Sequence, residues 1–327
     1  MKPLSNFLWA LLPLLLCHST VNAQADRGSY PSRPVTIINP FPGGAIDVGT
    51  RLYAQKLTES MGKPFLIDYK PGAAATIAAG FVARAPADGY TLLATSATFS
   101  ISAATHKDLP YDPLRDFAPI SLMLKKPAML MVHPSLPIHD YSEYIAYARA
   151  NPGALNFGTT GMGGSYHMVG AWLHGATNTQ VTFAHYKGTA QLFVDNVAGR
   201  IHVSPASIFN GLPYTKSGKL RPIMIISAER SALLPGMKTV AEQGIADFDY
   251  PAWEGMLTGA AVPRAIVNRL SAEFARLARS PDIIDRFSKD GSIMVGNTPD
   301  EFRDYLKTEI TRWRRIVIDN DIKAGED

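Results

Sequence analysis

Residues 156–168 read NFGTTGMGGSYHM and combine four glycines with hydroxyl side chains and a histidine. A stretch of this kind could cradle a phosphate, supply a nucleophile for acyl transfer, or bind an anion without reacting with it. The first two chemistries need further residues at fixed spacings. The third needs only backbone N–H groups that glycines leave open, hydroxyl donors and a following helix N-terminus.

Nucleophilic catalysis is disfavoured by the spacing around Ser165. The strand-to-helix turn that exposes a catalytic serine has the pattern G-x-S-x-G. Here Gly163 and Ser165 are followed by His167 where the second glycine should stand. Ser165 and His167 lie two residues apart at the start of a predicted helix, so their side chains diverge. An exported serine hydrolase is therefore the weaker alternative, and we predict a protein that is not an enzyme.

Metal and nucleotide sites lack their usual partners. His167 and His174 could share a helix face, but no HExxH motif, cysteine pair or acidic partner accompanies them. The glycine stretch has no P-loop lysine, and no acidic residue follows at dinucleotide-binding spacing. The sequence thus predicts no metal and no cofactor.

Two other loops have the same donor-rich composition. Residues 41–47 (FPGGAID) follow the first predicted strand, with Asp47 as the predicted N-cap of the next helix. Residues 95–100 (TSATFS) are predicted as a loop after the third strand. Three such loops, drawn from both halves of the chain, favour one shared anion site.

The elements that must position these loops alternate along the chain. Apolar strand-like runs are separated by segments of helical period, an order that predicts an α/β fold with mostly parallel sheets flanked by helices. Predicted strands are 34–41, 64–70, 90–96, 128–134, 155–160, 181–186, 201–207 and 220–227, and predicted helices include 47–62, 77–85, 142–151 and 168–177. Thr298–Glu301 (TPDE) is a capping box before a long C-terminal helix. Ligands of such sheets bind at the carboxyl ends of strands.

The N-terminus predicts export. Lys2 precedes an apolar run at 7–16, and small residues end at Ala23, so residues 1–23 are predicted to be a signal peptide cleaved near Ala23. Cys17, the only cysteine, lies inside it. A lipoprotein anchored at Cys17 is a weaker alternative because the preceding residue is not small. No later run reaches the roughly 18 apolar residues of a membrane helix, so a soluble periplasmic protein is expected.

The charge does not predict a nucleic-acid partner. The formal charge is +4, and loss of Lys2 with the signal peptide lowers it by one to +3. The basic residues are spread along the chain, whereas nucleic-acid binding needs a concentrated basic face.

Eight segments occur in order along the chain: PFPGGAID, KPGAAATIAAGFVARAPADGYTLL, LPYDPLRDFAPIS, NFGTTGMGGSYHM, HYKGTAQ, SGKLRPI, LPGMKTVAEQG and WEGMLTGAAVP. They resemble the Bug-type (TctC-like) solute-binding proteins of tripartite tricarboxylate transporters. The resemblance implies a monomeric, two-lobed periplasmic binding protein of type II, a Venus flytrap that delivers small carboxylates to membrane subunits. It implies lobe 1 from 24–125 plus 250–327 and lobe 2 from 126–249. The cleft between them closes about strands that cross near 125 and 250.

The resemblance also implies the ligand-binding residues, which lie in five short segments. They are Phe41, Gly43, Gly44 and Asp47; Ser96 and Thr98; Thr159, Thr160, Gly161, Gly163, Ser165 and His167; Tyr186 and Lys187; and Ala206.

Two departures from the family pattern bear on the ligand. The PFPGG loop is one residue shorter than usual, and Ala206 stands where the family has a cleft aspartate. Loss of that carboxylate reduces repulsion of a second ligand anion and removes a partner for an amino group. We therefore expect a dicarboxylate without an amino group, conceivably an aromatic one such as a phthalate. A protein that presents its ligand to a sensor instead of a transporter is the remaining alternative.

Overall fold

The structure is a computed structural model that describes residues 30–43, 45–106, 108–186, 188–245, 250 and 252–322. Two β-sheets, flanked by helices, lie within the single compact unit Pro31–Asp327. Sheet 1 has the order β11-β4-β10-β3-β1-β2, and sheet 2 has the order β7-β6-β8-β5-β9. Within the described residues, no helix is both long and apolar enough to cross a bilayer.

The strands are β1 (Val35–Asn39), β2 (Phe65–Tyr69), β3 (Thr91–Ser96), β4 (Phe117–Lys126), β5 (Ala128–Val132), β6 (Asn156–Thr159), β7 (Thr182–His185), β8 (Val203–Ser207), β9 (Arg221–Ile225), β10 (Ala252–Gly259) and β11 (Ile293–Met294). The helices are α1 (Ala45–Met61), α2 (Thr76–Ala83), α3 (Ala97–Thr105), α4 (Tyr141–Ala150), α5 (Ser165–Thr177), α6 (Thr189–Val197), α7 (Ile208–Lys216), α8 (Arg264–Ala278), α9 (Pro281–Ser288) and α10 (Pro299–Asp319). The α/β class is confirmed.

The prediction of mostly parallel sheets was wrong in one respect, because both sheets are mixed. Parallel pairing joins β2, β1 and β3 in sheet 1 and β7, β6 and β8 in sheet 2. β10 is antiparallel to β3 and β4, because β4 carries the chain out of sheet 1 and β10 brings it back. β5 enters sheet 2 without a crossover helix and is antiparallel to β8 and β9. The parallel parts supply the βα loops of the candidate site.

Helix α10 contacts helices that follow strands of both sheets. Its N-terminus is the predicted capping box: the Thr298 hydroxyl accepts from the Glu301 amide, and the Glu301 carboxylate accepts from the Thr298 amide. One face of the helix is apolar and buried, with Phe302, Leu306 and Trp313. α10 contacts both α3 and α5, whose N-termini carry predicted site residues. The packing of one helix therefore limits how these two helix ends can move.

We expect Thr298→Ala to lower the free energy of unfolding by about 1 kcal/mol, because the Glu301 N–H loses the hydroxyl oxygen that caps it. Denaturant unfolding of the purified protein measures this. The matched control is Thr308→Ala in the same helix, where the hydroxyl only donates to the Asp304 carbonyl. An equal loss of unfolding free energy in the two variants would contradict the role of the Thr298 cap.

Candidate functional site

The first predicted loop is held by a buried asparagine at the end of β1. The Asn39 Oδ1 accepts from the Phe41 amide at 2.9 Å, and its Nδ2 donates to the Asp47 carboxylate at 3.0 Å. Gly43 has φ +70°, a conformation that favours glycine. Its amide donates to Asp47 at 3.1 Å. Gly44 lies outside the described residues. The sequence analysis did not predict this role of Asn39. The available signal was a polar residue at the end of an otherwise apolar strand.

Asp47 is the third residue of α1, so its prediction as an N-cap was wrong. The helix begins at Ala45, and the carboxylate turns back towards the loop. Tyr69 donates to one oxygen at 2.8 Å and Arg51 to the other at 3.0 Å, in addition to the loop donors. Burial opposes ionisation, but the hydrogen bonds from Tyr69, Arg51 and the Gly43 amide hold the pKa of Asp47 below its usual value. Its charge is thus compensated internally, and Asp47 orders the loop.

Ser96 and Thr98 lie at a helix start, whereas a loop was predicted there. Ser96 ends β3 and is the N-cap of α3, its hydroxyl accepting from the Thr98 amide at 3.4 Å. The helix begins without a connecting loop because the following side chains, including Phe99 and Ile101, are buried. The positive end of the α3 dipole therefore lies at the carboxyl end of β3.

The turn between β2 and α2 is a third structure at this edge, and the sequence predictions missed it. Ala73, Ala74 and Ala75 all have positive φ, at 44°, 48° and 72°. Each left-handed L-residue costs roughly 1–2 kcal/mol. Side-chain hydrogen bonds support the turn: Thr76 donates to the Ala73 carbonyl at 2.8 Å and Ser102 to the Ala74 carbonyl at 3.0 Å. No composition rule predicts three alanines in this conformation.

The glycine stretch that opens the sequence leads from β6 into α5. The Gly163 backbone has φ +66°, and its amide donates to Nδ1 of His167 at 2.9 Å. Thr159 is buried and its hydroxyl contacts Nδ1 of His185 at 2.7 Å. Ser165 is the first residue of α5, and Thr160 and Gly161 precede it in the turn. The stretch presents the N-terminus of a thirteen-residue helix, a ready site for an anion.

His167 is a neutral acceptor within this loop. Its ring meets that of His185 edge to face, with centroids 4.9 Å apart. Burial, together with the neighbouring His185, lowers the pKa of His167 to about 4. Because Nδ1 accepts the Gly163 amide, His167 is not oriented as a base for Ser165. The hydroxyl of Ser165 instead bonds to the buried Tyr250.

His174 also has a structural position. Its Nε2 contacts the Tyr144 hydroxyl at 3.0 Å and its Nδ1 contacts the Thr179 hydroxyl at 2.7 Å. Burial lowers the pKa of His174 to about 4. Within the described ranges, no group of three or more His, Cys, Asp or Glu side chains is arranged to hold a metal ion.

The last segment of β8 meets the same edge of sheet 2. The Ser207 amide donates to the Tyr166 hydroxyl at 3.0 Å, which joins the end of β8 to the start of α5. Ala206 itself is fully buried in an apolar cluster with Met129 and Met131. The expectation that Ala206 faces a ligand therefore disagrees with its buried position; the neighbouring Ser207, whose side chain points to the other face of the strand, is half-buried.

Tyr186 follows β7, and its amide donates to the Thr159 carbonyl at the end of β6 at 2.9 Å. Tyr186 donates to the Asp195 carboxylate of α6 at 2.8 Å. Burial and this hydrogen bond raise the pKa of Tyr186 to about 12. Lys187 lies outside the described residues. The Tyr186 hydroxyl thus already has a partner on α6.

Two exposed apolar side chains flank the sheet 2 loops. Met162, in the glycine stretch, is 61% exposed, and Phe209, at the start of α7, is 55% exposed. They follow β6 and β8, which are parallel neighbours. Exposed apolar residues at a binding edge are a common feature of sites for ligands with an apolar body. The sequence predictions gave them no role.

The structure joins the two groups of loops through helix contacts. α3, which begins at Ser96, contacts α5, which begins at Ser165. The sequence profile described as "Tripartite tricarboxylate transporter family receptor" matches residues 50–322. The chain belongs to this family.

Relatives cover nearly its whole length. Protein BugT of Bordetella pertussis is 29% identical, over 95% of this chain and 96% of its own. The structure "R. palustris Rpa4515 with adipate" has a TM-score of 0.77 at 29% identity and covers 90% of this chain and 99% of its own. The structure "MatC (Rpa3494) from Rhodopseudomonas palustris with bound malate" has a TM-score of 0.74 at 28% identity, covering 88% and 100%. The Bug-type resemblance is thus confirmed, and the fold is that of a periplasmic binding protein.

We expect acid to destabilise the protein between about pH 6.5 and pH 4. His167 and His174 have an ordinary pKa of 6.5 and a folded pKa of about 4. The unfolded chain binds more protons in this window, so stability is complete above about 6.5 and is lost as the pH falls. His167→Gln should weaken this dependence, because the amide oxygen can accept from Gly163 without titrating. Melting temperatures at several pH values measure both effects.

The control is the unmodified protein, measured in parallel over the same pH range. An unchanged profile in His167→Gln would show that protonation of this ring does not disturb the loop.

Proposed function

We propose that the chain is the periplasmic solute-binding protein of a tripartite transporter and captures a small dicarboxylate. The observation that carries the proposal is the set of helix N-termini after β1, β3 and β6, which present neutral donors at strand carboxyl ends. Asp47, the acidic residue nearest them in sequence, has its charge compensated by four donors. Such sites bind anions through backbone N–H groups and helix dipoles. The adipate and malate carried by two similar structures support the same ligand class.

The two sheets correspond to the two lobes of this proposal. Residues 24–125 plus 250–327 form lobe 1, and residues 126–249 form lobe 2. The strand compositions of the sheets support the division, since β4 ends at Lys126 and β10 begins at Ala252. Ligand adds contacts that exist only when the lobes close, which shifts the population towards the closed state.

The direct ligand contacts in this proposal come from both lobes. Lobe 1 supplies the Phe41–Gly44 loop and the α3 start at Ser96 and Thr98, with Asp47 as an ordering residue. Lobe 2 supplies Thr160, Gly161, Gly163 and Ser165, while His167 orders the glycine turn. The proposal also assigns Tyr186 and Lys187, which follow β7 in the sequence, to the ligand-binding set. No chemical step on the ligand is proposed, because His167 already accepts from Gly163 and Ser165 bonds to Tyr250.

We expect calorimetry at neutral pH to show binding of adipate and phthalate, weaker binding of malate, and weaker still of aspartate. Two separated carboxylates can each meet a helix N-terminus, whereas the positive ends of the helix dipoles repel the ammonium group of aspartate. Acetate and citrate complete the panel. Absence of a response to every carboxylate would exclude the proposed function.

We also expect Met162→Ser and Phe209→Ser to weaken binding of adipate and phthalate by about fivefold each and to leave malate little affected. Losing contact with part of an apolar side chain removes about 1 kcal/mol. The matched control is Val194→Ser, which replaces a side chain that is 64% exposed on α6, outside the glycine stretch and the start of α7. A uniform effect on all ligands, or none, would contradict the role of these side chains.

The partner of the loaded protein is the second part of the proposal. The family description supports delivery to transporter membrane subunits. Copurification of the loaded protein with those subunits tests this. Capture of a membrane sensor instead would favour the alternative in which the protein presents its ligand for signalling.

A further inference from the structure

A buried ion pair lies where the chain passes from sheet 1 to sheet 2. Lys126 is the last residue of β4, opposite Ala252 of β10, and its Nζ contacts Oε1 of Glu254. The side chains are 16% and 5% exposed. Removing one partner would leave the other as an uncompensated buried charge. Glu254 is also the register partner of Ser96, the residue that ends β3 and caps α3.

Glu254 also touches the helix that carries the first loop. An ideal Cβ built at Gly49 would lie 2.5 Å from Oε2 of Glu254. Any side chain at this position would therefore collide with the carboxylate. Gly49 lies in α1, two residues after Asp47, which holds the Gly43 amide. The absence of a side chain at Gly49 lets the carboxylate lie directly against the α1 backbone.

The contact between Oε2 of Glu254 and Gly49 is a van der Waals contact and not a hydrogen bond. Within the described part of the chain, Oε2 of Glu254 and the Tyr53 hydroxyl have no hydrogen-bond partner. Tyr53 is one turn beyond Gly49 on the same helix face. Burial and the Glu254 charge raise the pKa of Tyr53 above its usual range. The carboxylate of Glu254 thus contacts Lys126 through Oε1 and lies against α1 with Oε2.

We propose that Glu254 is a positioning residue that couples the crossing strands β4 and β10 to α1, and so sets the geometry of the Phe41–Gly43 loop. A shift of the strands moves the carboxylate, which presses on the helix at Gly49. The helix then moves Asp47 and the amide of Gly43. This inference rests on the proposed function for its effect on ligand binding, but the coupling itself exists without ligand.

The test is a double-mutant cycle with Gly49→Ala. In the otherwise unmodified chain, the new methyl group displaces the Glu254 carboxylate, and we expect carboxylate affinity to fall at least tenfold. In a Lys126→Met/Glu254→Ala background, the carboxylate and its uncompensated partner are both gone, and Gly49→Ala should change affinity less than twofold. Such non-additivity isolates the contact. Gly236→Ala is the control, because a methyl group there meets nothing within 4 Å.

A second measurement needs no ligand. Hydrogen exchange at the amides of Phe41 and Gly43 should accelerate on Gly49→Ala in the unmodified chain and stay unchanged in the Lys126→Met/Glu254→Ala background. Melting temperatures accompany both readouts, since a purely structural role would lower stability without this background dependence. Equal effects of Gly49→Ala in the two backgrounds, or unchanged exchange at these amides in both, would overturn the proposal. If the unmodified protein binds no carboxylate, the proposed function fails, and the exchange result still decides this coupling.

Discussion

The pairing of β4 with β10 is the constraint on which the rest of the structure depends. These strands lie side by side and antiparallel, and each continues towards sheet 2. Their two faces carry different chemistry: Glu254 meets Lys126 on one, while the buried Trp253 donates to Glu309 of α10 on the other. Register shifts near Glu254 and Met256 bend the ladder. A single pair of strands therefore fixes sheet 1 against both α1 and α10.

The loops of the candidate site follow a common electrostatic principle. Each ends in a helix N-terminus, and the titratable groups beside it are either compensated or held neutral. Asp47 is ionised but surrounded by donors, and His167 is uncharged because burial lowers its pKa. Fixed dipoles of this kind attract an anion without the desolvation penalty of a buried lysine or arginine. A site built from them suits reversible capture.

The sequence predicted what local patterns determine and missed what distant contacts determine. Strands β1 to β3 and helix α10 followed from apolar spacing and the Thr298 capping box. β4 was missed because Pro119 interrupts it, a residue that argues against a strand. The start of α3 was read as a loop because its hydroxyls resemble a turn. The roles of Asn39 and Asp47 depend on hydrogen bonds between β1 and α1. Those of Glu254 and Gly49 depend on a contact between residues about 200 positions apart. Sequence-spacing rules do not predict contacts of this kind.

The junction between the sheets has a mechanical consequence. Only Pro127 separates the end of β4 from the start of β5, and proline fixes its own φ. One residue spans about 3.3 Å at full extension, so the sheets cannot translate apart at this point. Pro127 therefore permits rotation of one sheet relative to the other and acts as a short hinge. In the proposed function, ligands of different length would stop this rotation at different angles between the sheets. The junction would then contribute to selection by ligand length.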